Sequence, residues 1–250
     1  MSQLVPDDQD VLTISVGTRV EGALELMRVH NVDQLPVVTA ENRVVGAFTH
    51  RSLARGMRHI RPQDNPLTAP VEDLVEELRF VRASQELGDI LCFLDADNAV
   101  LVGDEDRLLA IVTNADLTRF LWHRTRPFVL LQDIELGIRD LMRSSCTDEE
   151  LAGAVSAAIP VDLSRHTARL EDLTLRELLS VLVNGLSFGR FFRLRFGANR
   201  ELVRLTLEPI CEIRNKVFHF REEISSRELQ NLMEVASWLR RKILIRDGER

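Results

Sequence analysis

No tyrosine occurs anywhere in the 250 residues, and the three cysteines, Cys92, Cys146 and Cys211, are odd in number and far apart. The first absence excludes any control that works by modifying a tyrosine. The second excludes a disulfide framework and a CxxC metal knuckle, and fits a reducing compartment. No apolar run approaches the ~18 residues that a membrane span needs. The opening segment MSQLVPDDQD has neither the basic stretch nor the apolar core of a secretion signal. The sequence is therefore expected to act in the cytoplasm, with no membrane partner. Lysine is also scarce, with Lys216 and Lys242 standing beside thirty arginines.

What is present describes a soluble globular protein, with 45% hydrophobic and 28% charged residues. The length suits one large domain or two ordinary ones. Charge is unevenly spread: residues 1–123 carry a net −9, whereas residues 124–250 carry +2 with arginine clusters. Two modules with different partners are expected, divided near residue 123.

The first half contains an internal repeat, at about residues 10–60 and 68–123. In the first copy an apolar-periodic segment from Val20 to Val29 predicts a helix. QLPVV and RVVGAFT then predict strands around a polar TAEN turn, and HRSLARGM opens another helix. The second copy has the same order, with a helix from Gln85 to Leu94, strands AVLV and RLLAIVT around GDED, and a helix in ADLTRFLW. This β-α-β-β-α unit, used twice, resembles a tandem pair of CBS domains. The most specific element is the end of each copy: Ala110-Ile111-Val112-Thr113-Asn114-Ala115-Asp116-Leu117 in the second, and Gly46-Ala47-Phe48-Thr49-His50-Arg51-Ser52-Leu53 in the first.

In such domains the Asp of this motif accepts hydrogen bonds from both ribose hydroxyls, and the Thr lies near the phosphates at a helix N-terminus. The resemblance therefore implies an adenine-nucleotide site (ATP, ADP or AMP, as a regulatory ligand) at Thr113 and Asp116, with Val81 on the base side. Thr49 marks a weaker counterpart, because Ser52 stands where the Asp should be and a hydroxyl cannot accept as a carboxylate does. Backbone N–H groups opening the helix would hold the phosphate. An alternative stays open, since Thr, Asn and Asp ahead of a helix are also ordinary N-cap residues. His50 and Arg51 can be read either as phosphate contacts or as solvated surface.

From Arg126 onward the apolar period is near 3.6. FVLLQDIELGIRDLMR places Val129, Ile134, Ile138 and Leu141 on one broad face. Thr147 with Glu150 predicts a capping box, Thr174 caps the next helix, and Ser226 is read as the cap of the last. Pro160, Gly185, Gly189 and Gly197 punctuate the joins. In the long segment from Arg200, the residues Leu202, Leu205, Ile210, Ile213, Val217 and Phe220 are expected to face the core. The fold class is thus α+β, a tandem β-α-β-β-α pair over 1–123 followed by an all-α bundle over 124–250.

The C-terminal pattern, LTLRELLSVL followed at a distance by LEPICEIRNKVFHFREEISSRELQNLMEVASWLRR, resembles the HEPN superfamily. Its hallmark is an Arg, four to six residues and a His, often with a polar residue after the Arg; here it reads Arg214-Asn215-Lys216-Val217-Phe218-His219. The resemblance implies a homodimeric helical bundle and, in active members, a metal-independent ribonuclease with no cofactor for catalysis. On one regular helix Arg214 and His219 point about 140° apart, so a cleft shared by two copies suits the pair better. One branch of the superfamily is regulated by nucleotide transfer to a tyrosine, which this chain lacks.

The chemistry requires a base for the ribose 2′-hydroxyl, an acid for the departing 5′-oxygen and support for the charged phosphorane-like state. His219 suits proton transfer, Arg214 offers a planar donor fork to phosphate, and Asn215 can orient either. The products would be 2′,3′-cyclic phosphate and 5′-hydroxyl ends. Glu135 and Arg139, four apart, match a polar pair found in the first helix of many HEPN proteins and are read as supporting residues, or else as a surface ion pair. Arg190, Arg193 and Arg195, interleaved with Phe188, Phe191, Phe192 and Phe196, are read as RNA contacts, with core phenylalanines and rim arginines as the alternative. The expected protein is a homodimeric ribonuclease gated by nucleotide, with RNA and not DNA as substrate. The competing expectation is a noncatalytic nucleotide-sensing module that dimerises or binds RNA through its helical half.

Overall fold

The computed structural model describes residues 10–61, 63–159, 169–220 and 222–248; Pro160, read above as a helix breaker, lies outside them. The chain divides into two compact units, Met1–Leu121 and Trp122–Arg250.

The first unit contains both repeats. The first copy comprises β1 (Ile14–Ser15), α1 (Val20–His30), β2 (Gln34–Val38), β3 (Val44–Thr49) and α2 (His50–Gly56). The linker adds β4 (Val75–Glu76), giving a four-stranded sheet in the order β1-β2-β3-β4. The second copy comprises β5 (Phe80–Val81), α3 (Leu87–Asp97), β6 (Ala99–Asp104), β7 (Arg107–Thr113) and the start of α4 (Asn114–Arg143), with a three-stranded sheet β5-β6-β7. In each sheet the first pair is parallel and the second antiparallel. The helices are amphipathic: α1 buries Val20, Ala23 and Met27, and α3 buries Ile90 and Leu94. Both end on an asparagine in the left-handed region, Asn31 and Asn98, which tolerates that conformation better than most residues and closes the helix. One apolar cluster joins the copies, with Val38, Val44 and Ala47 against Leu78, Ala99 and Leu101.

The second unit is helical. It takes α4 from Trp122 onward, then α5 (Asp148–Ala158) and α6 (Leu175–Leu182). Next, α7 (Gly185–Ser187) and α8 (Arg193–Phe196) flank a π-helical turn at Phe188–Phe192, and α9 (Arg200–Phe218) and α10 (Ser226–Gly248) complete it. Its core runs through Ile134, Ile138 and Leu141 of α4, Leu178 and Leu182 of α6, Ile210 and Ile213 of α9, and Leu232 and Leu239 of α10.

Four expectations need correction. The segments ADLTRFLW and FVLLQDIELGIRDLMR are one continuous helix, α4, with Pro127 inside it. The proline withdraws one N–H from the ladder, and His123, four residues earlier, is exposed, so its freed carbonyl can be hydrated. Val129 is 38% exposed and Leu131 takes its place in the core. On α9, Leu202 and Leu205 are 62% and 55% exposed, while Val203, Leu207 and Cys211 are buried; Phe220, beyond the helix end with φ +50°, is 82% exposed. The five-residue step from Leu205 to Ile210 turns a helix by about 500°, so the expected stripe had mixed two faces. Finally, Ser225, not Ser226, caps α10: its Oγ accepts from Glu228 N at 3.2 Å, and Glu228 Oε2 accepts from Ser225 N at 2.7 Å. Glu228 is three residues from Ser225, the spacing a capping box demands.

Candidate functional site

In the second copy, β7 delivers Thr113 to the first turn of α4. Asp116 Oδ2 accepts from Thr113 N at 3.0 Å and from Thr113 Oγ1 at 2.7 Å, and Asp116 N donates back to Thr113 Oγ1 at 3.2 Å. Asp116 Oδ1 makes only a long contact, 3.5 Å, with Arg119. The pair is thus a capping box with one carboxylate oxygen spent on Thr113 and the other left, among the described residues, with the Arg119 contact. Asn114 anchors the turn by donating to the Leu94 carbonyl at 3.0 Å. Val81 is placed differently from the expectation. Its side chain is 2% exposed, within the apolar cluster of Ile90, Val100 and Val112. It pairs with Val102, which faces Ala110, whereas Thr113 faces Ala99 at the other end of the ladder. The side chain of Val81 is thus part of the core, three residue pairs along the ladder from Thr113.

The first copy has the same local cap but a different neighbourhood. Thr49 and Ser52 are buried and cap each other, Thr49 N donating to Ser52 Oγ and Ser52 N to Thr49 Oγ1, each at 2.9 Å. Strand β4 lies against β3, and its Glu76 carboxylate accepts from Thr49 Oγ1, from Arg51 Nε at 2.9 Å and from Arg55 at 3.4 Å. Arg51 also donates to the carbonyls of Ala96 and Asp97 at the end of α3, where a cation complements a helix C-terminus. Arg51 is therefore neither a solvated side chain nor an open phosphate ligand. His50 is exposed, 3.8 Å from Asp33.

In the helical unit, α9 presents Arg214 and Asn215 one turn before its end. The guanidinium of Arg214 lies 4.8 Å from the ring centre of Phe218. Phe218 meets Phe128 edge-on at 5.6 Å, and Phe220 lies 6.5 Å from Phe128. Arg214 Nε is buried and has no hydrogen-bond partner among the described residues. An unmet buried donor of this kind is uncommon and costly. His219 is exposed and sits just beyond the helix as its C-cap, with φ −97° and ψ 3°. Its N–H still donates to the Asn215 carbonyl at 3.1 Å, so the four-residue spacing assumed for Asn215 and His219 is kept by the backbone. Among the described residues no hydrogen bond, ion pair or ring contact joins the side chains of Arg214, Asn215 and His219. Lys216, the other cation of the motif, is committed to Glu222 at 2.9 Å and Glu228 at 3.2 Å. These partners hold its ammonium above the usual lysine range, the Glu222 hydrogen bond contributing most. Backbone and hydroxyl donation from Ser225 hold Glu228 below the usual carboxylate range.

The remaining predicted residues lie elsewhere in the unit. Arg139 is not part of an ordinary surface pair. It is 9% exposed, donating to Glu135 Oε1 at 2.6 Å and to the carbonyls of Leu170 and Leu173 at 3.2 and 3.0 Å. It pins the chain ahead of α6 to α4. Phe188, Phe192 and Phe196 are core, so they offer no stacking platform to RNA, which corrects the interleaved reading. Arg190 lies 3.3 Å from Glu150 and 4.8 Å from the Phe191 ring, and Arg193 is exposed. Arg195 is only half-buried.

Sequence reasoning missed Glu76 and the Phe128–Phe218–Phe220 cluster, because strand pairing and helix packing bring those residues together and no local spacing signals it. It also missed an open groove of about 670 Å³ on the second unit, between α9 and α10, lined by Pro209, Glu212, Ile213, Gln230 and Asn231.

With the geometry in place, comparison with known proteins is specific for one region. The family model described as CBS domain matches residues 5–59. The chain is 26% identical over 111 residues to the inosine-5′-monophosphate dehydrogenase of Methanocaldococcus jannaschii, covering 44% of this chain and 22% of that one. It is 28% identical over 116 residues to the cystathionine beta-synthase of Dictyostelium discoideum, covering 44% and 23%. The chain thus spans less than a quarter of these relatives' length. A solved structure, CBSX2 in complex with AMP, is 23% identical, with 49% of this chain and 95% of that one covered and a TM-score of 0.41. A pair of CBS units accordingly occupies the N-terminal half, the first by the family match and the second by repetition of its topology.

Proposed function

We propose that the chain is a metal-independent endoribonuclease, working as a homodimer and regulated by an adenine nucleotide bound to its CBS pair. The observation that carries the nuclease reading is Arg214: a permanently charged fork, stacked on Phe218, with its Nε buried and unpaired. The HEPN resemblance of Arg214-Asn215-x3-His219 is independent support, from sequence alone. In this reading the Arg214 forks of two copies bind the scissile phosphate. One His219 accepts the proton of the 2′-hydroxyl as that oxygen attacks phosphorus. The His219 of the second copy returns a proton to the 5′-oxygen as the P–O5′ bond breaks. Asn215 orients phosphate or imidazole. A 2′,3′-cyclic phosphate and a 5′-hydroxyl result.

The nucleotide reading rests on the family match and on Asp116 at the N-terminus of a long helix, where its Oδ1 keeps only a 3.5 Å contact among the described residues. Helix α4 opens at this cap and also supplies core residues of the helical unit, so a ligand that alters the cap acts on an element both units share. Regulation requires the nucleotide to prefer one state of the dimer, because equal affinity for two states shifts neither.

The test is to incubate the purified chain in EDTA with mixed unstructured RNA, with and without ATP, ADP or AMP, beside His219→Ala. Cleavage leaving cyclic-phosphate ends, reduced roughly 10²–10⁴-fold in the variant, is expected, together with a change in rate on adding nucleotide. Equal inertness of both proteins across several RNAs and all three nucleotides would favour the noncatalytic module. The exposed imidazole of His219, with no side-chain partner among the described residues, is the observation that keeps that reading in play.

A further inference from the structure

The geometry points to one nucleotide site per chain rather than two: Glu76 is a built-in anion occupying the first copy, and only the second copy is open. The inference rests on the nucleotide reading above and specifies which of its two candidate positions works.

The two copies place a threonine at the same point, the end of the last strand before a helix. Among the described residues of the second copy, the side chain of that threonine, Thr113, meets only its own capping residue, Asp116, and β7 is an edge strand. In the first copy β3 is not an edge. Strand β4 pairs with it, Ala47 opposite Glu76, and carries the Glu76 carboxylate onto Thr49 Oγ1. The same carboxylate takes Arg51 and Arg55, the two cations of α2 that a ligand phosphate would need. The Glu76 side chain is only 12% exposed.

Three further features oppose a ligand there. Ser52, which replaces the ribose-binding Asp, is buried and spends its hydroxyl on Thr49 N and Thr49 O. Helix α2 is only seven residues long, a weak source of N-terminal field. Arg51 is tied across to the α3 carbonyls, so withdrawing it would also break a contact between the copies. A nucleotide entering the first copy would have to displace a carboxylate already held by two guanidinium groups and a hydroxyl, while presenting like charge to it.

Calorimetric titration of the full chain with AMP, ADP and ATP in turn tests this. The expected result is one equivalent per chain for each nucleotide that binds, with Asp116→Asn weakening it by about tenfold or more. Glu76→Gln, confirmed folded by its melting profile, is expected to free Thr49 and the two arginines and bring in a second, weaker equivalent. Two equivalents in the unaltered chain, one equivalent indifferent to Asp116→Asn, or a folded Glu76→Gln still at one equivalent would each overturn the assignment while leaving nucleotide binding intact. No heat with any of the three nucleotides, in either the unaltered chain or Glu76→Gln, would overturn the nucleotide reading and this inference with it.

Discussion

Two arginines lie partly or wholly below the surface of the helical unit, in regions that treat the same side chain in opposite ways. On α4, Arg139 gives hydrogen bonds to a carboxylate and two backbone carbonyls. At the end of α9, Arg214 rests on an aromatic ring with a buried donor unmet. Guanidinium is expensive to bury, and folding tolerates it only when its donors are answered. Arg139 is answered from within the chain, so its role is complete in the fold. Arg214 Nε is not answered among the described residues, and the function proposed above gives its guanidinium an acceptor from outside the chain. Under-satisfaction, more than the identity of the residue, separates the candidate site from the scaffold.

The sharpest way to break this contrast is Arg139→Ala. It strands the Glu135 carboxylate, which is only partly solvated, and leaves the Leu170 and Leu173 carbonyls without their donor. A loss of about 3 kcal/mol is expected, from one broken buried pair and two orphaned acceptors. Both tryptophans, Trp122 and Trp238, belong to the helical unit, so fluorescence-monitored urea unfolding of the full chain reports it directly. A loss under about 1 kcal/mol would mean that Arg139 is no better anchored than an exposed pair.

That contrast was only half legible in the sequence. Local patterns were readable: the repeat, the Thr147–Glu150 capping box and the Thr174 cap, and the helical character of the second half all follow from spacing within a few residues. Arg139 was visible as an i,i+4 partner of Glu135, but its burial depends on carbonyls more than thirty residues away. Glu76 was invisible for the same reason, since β3–β4 pairing puts it on Thr49 from 27 positions down the chain. Arg214, Asn215 and His219 were found by motif. What a motif cannot give is that helix α9 ends at Phe218 and leaves His219 as its exposed C-cap, the N–H still bonded to the Asn215 carbonyl.

A smaller effect tests the start of α10. Ser225→Ala removes the cap of α10 and the hydroxyl donor to Glu228, and about 1 kcal/mol is expected. Its pH dependence has a definite sign. Glu228 is held below the usual carboxylate range in the folded chain, so its contribution is present above the ordinary glutamate pKa and fades as pH falls through the depressed value. The gap between the unaltered chain and Ser225→Ala should therefore narrow in acid. A gap that widened on acidification would show that the carboxylate is not what the cap holds.

Smaller again is the change expected on the outer face of α9. Leu205→Gln should alter stability by no more than about 0.5 kcal/mol, whereas Ile210→Ala should cost about 2–5 kcal/mol, because only the second position is enclosed. The comparison doubles as a check on the unit in solution. A large effect of Leu205→Gln that grows with protein concentration would mean that a second copy covers this face.

The smallest expected effect is the most telling for the two arginines. Arg214→Met keeps an unbranched stem against Phe218 and removes both the charge and the unanswered Nε. The lost cation–aromatic attraction, roughly 0.5–1 kcal/mol, is offset by release of a buried donor whose desolvation costs about 1–3 kcal/mol. Unfolding free energy should therefore stay level or rise, while RNA cleavage falls by roughly 10²–10³-fold, as for loss of a transition-state donor. Stability retained with activity lost would set Arg214 apart from Arg139 as a residue kept for its ligand. If Arg214→Met instead unfolds the unit as readily as Arg139→Ala, both arginines are scaffold, and the nuclease reading loses the observation on which it rests.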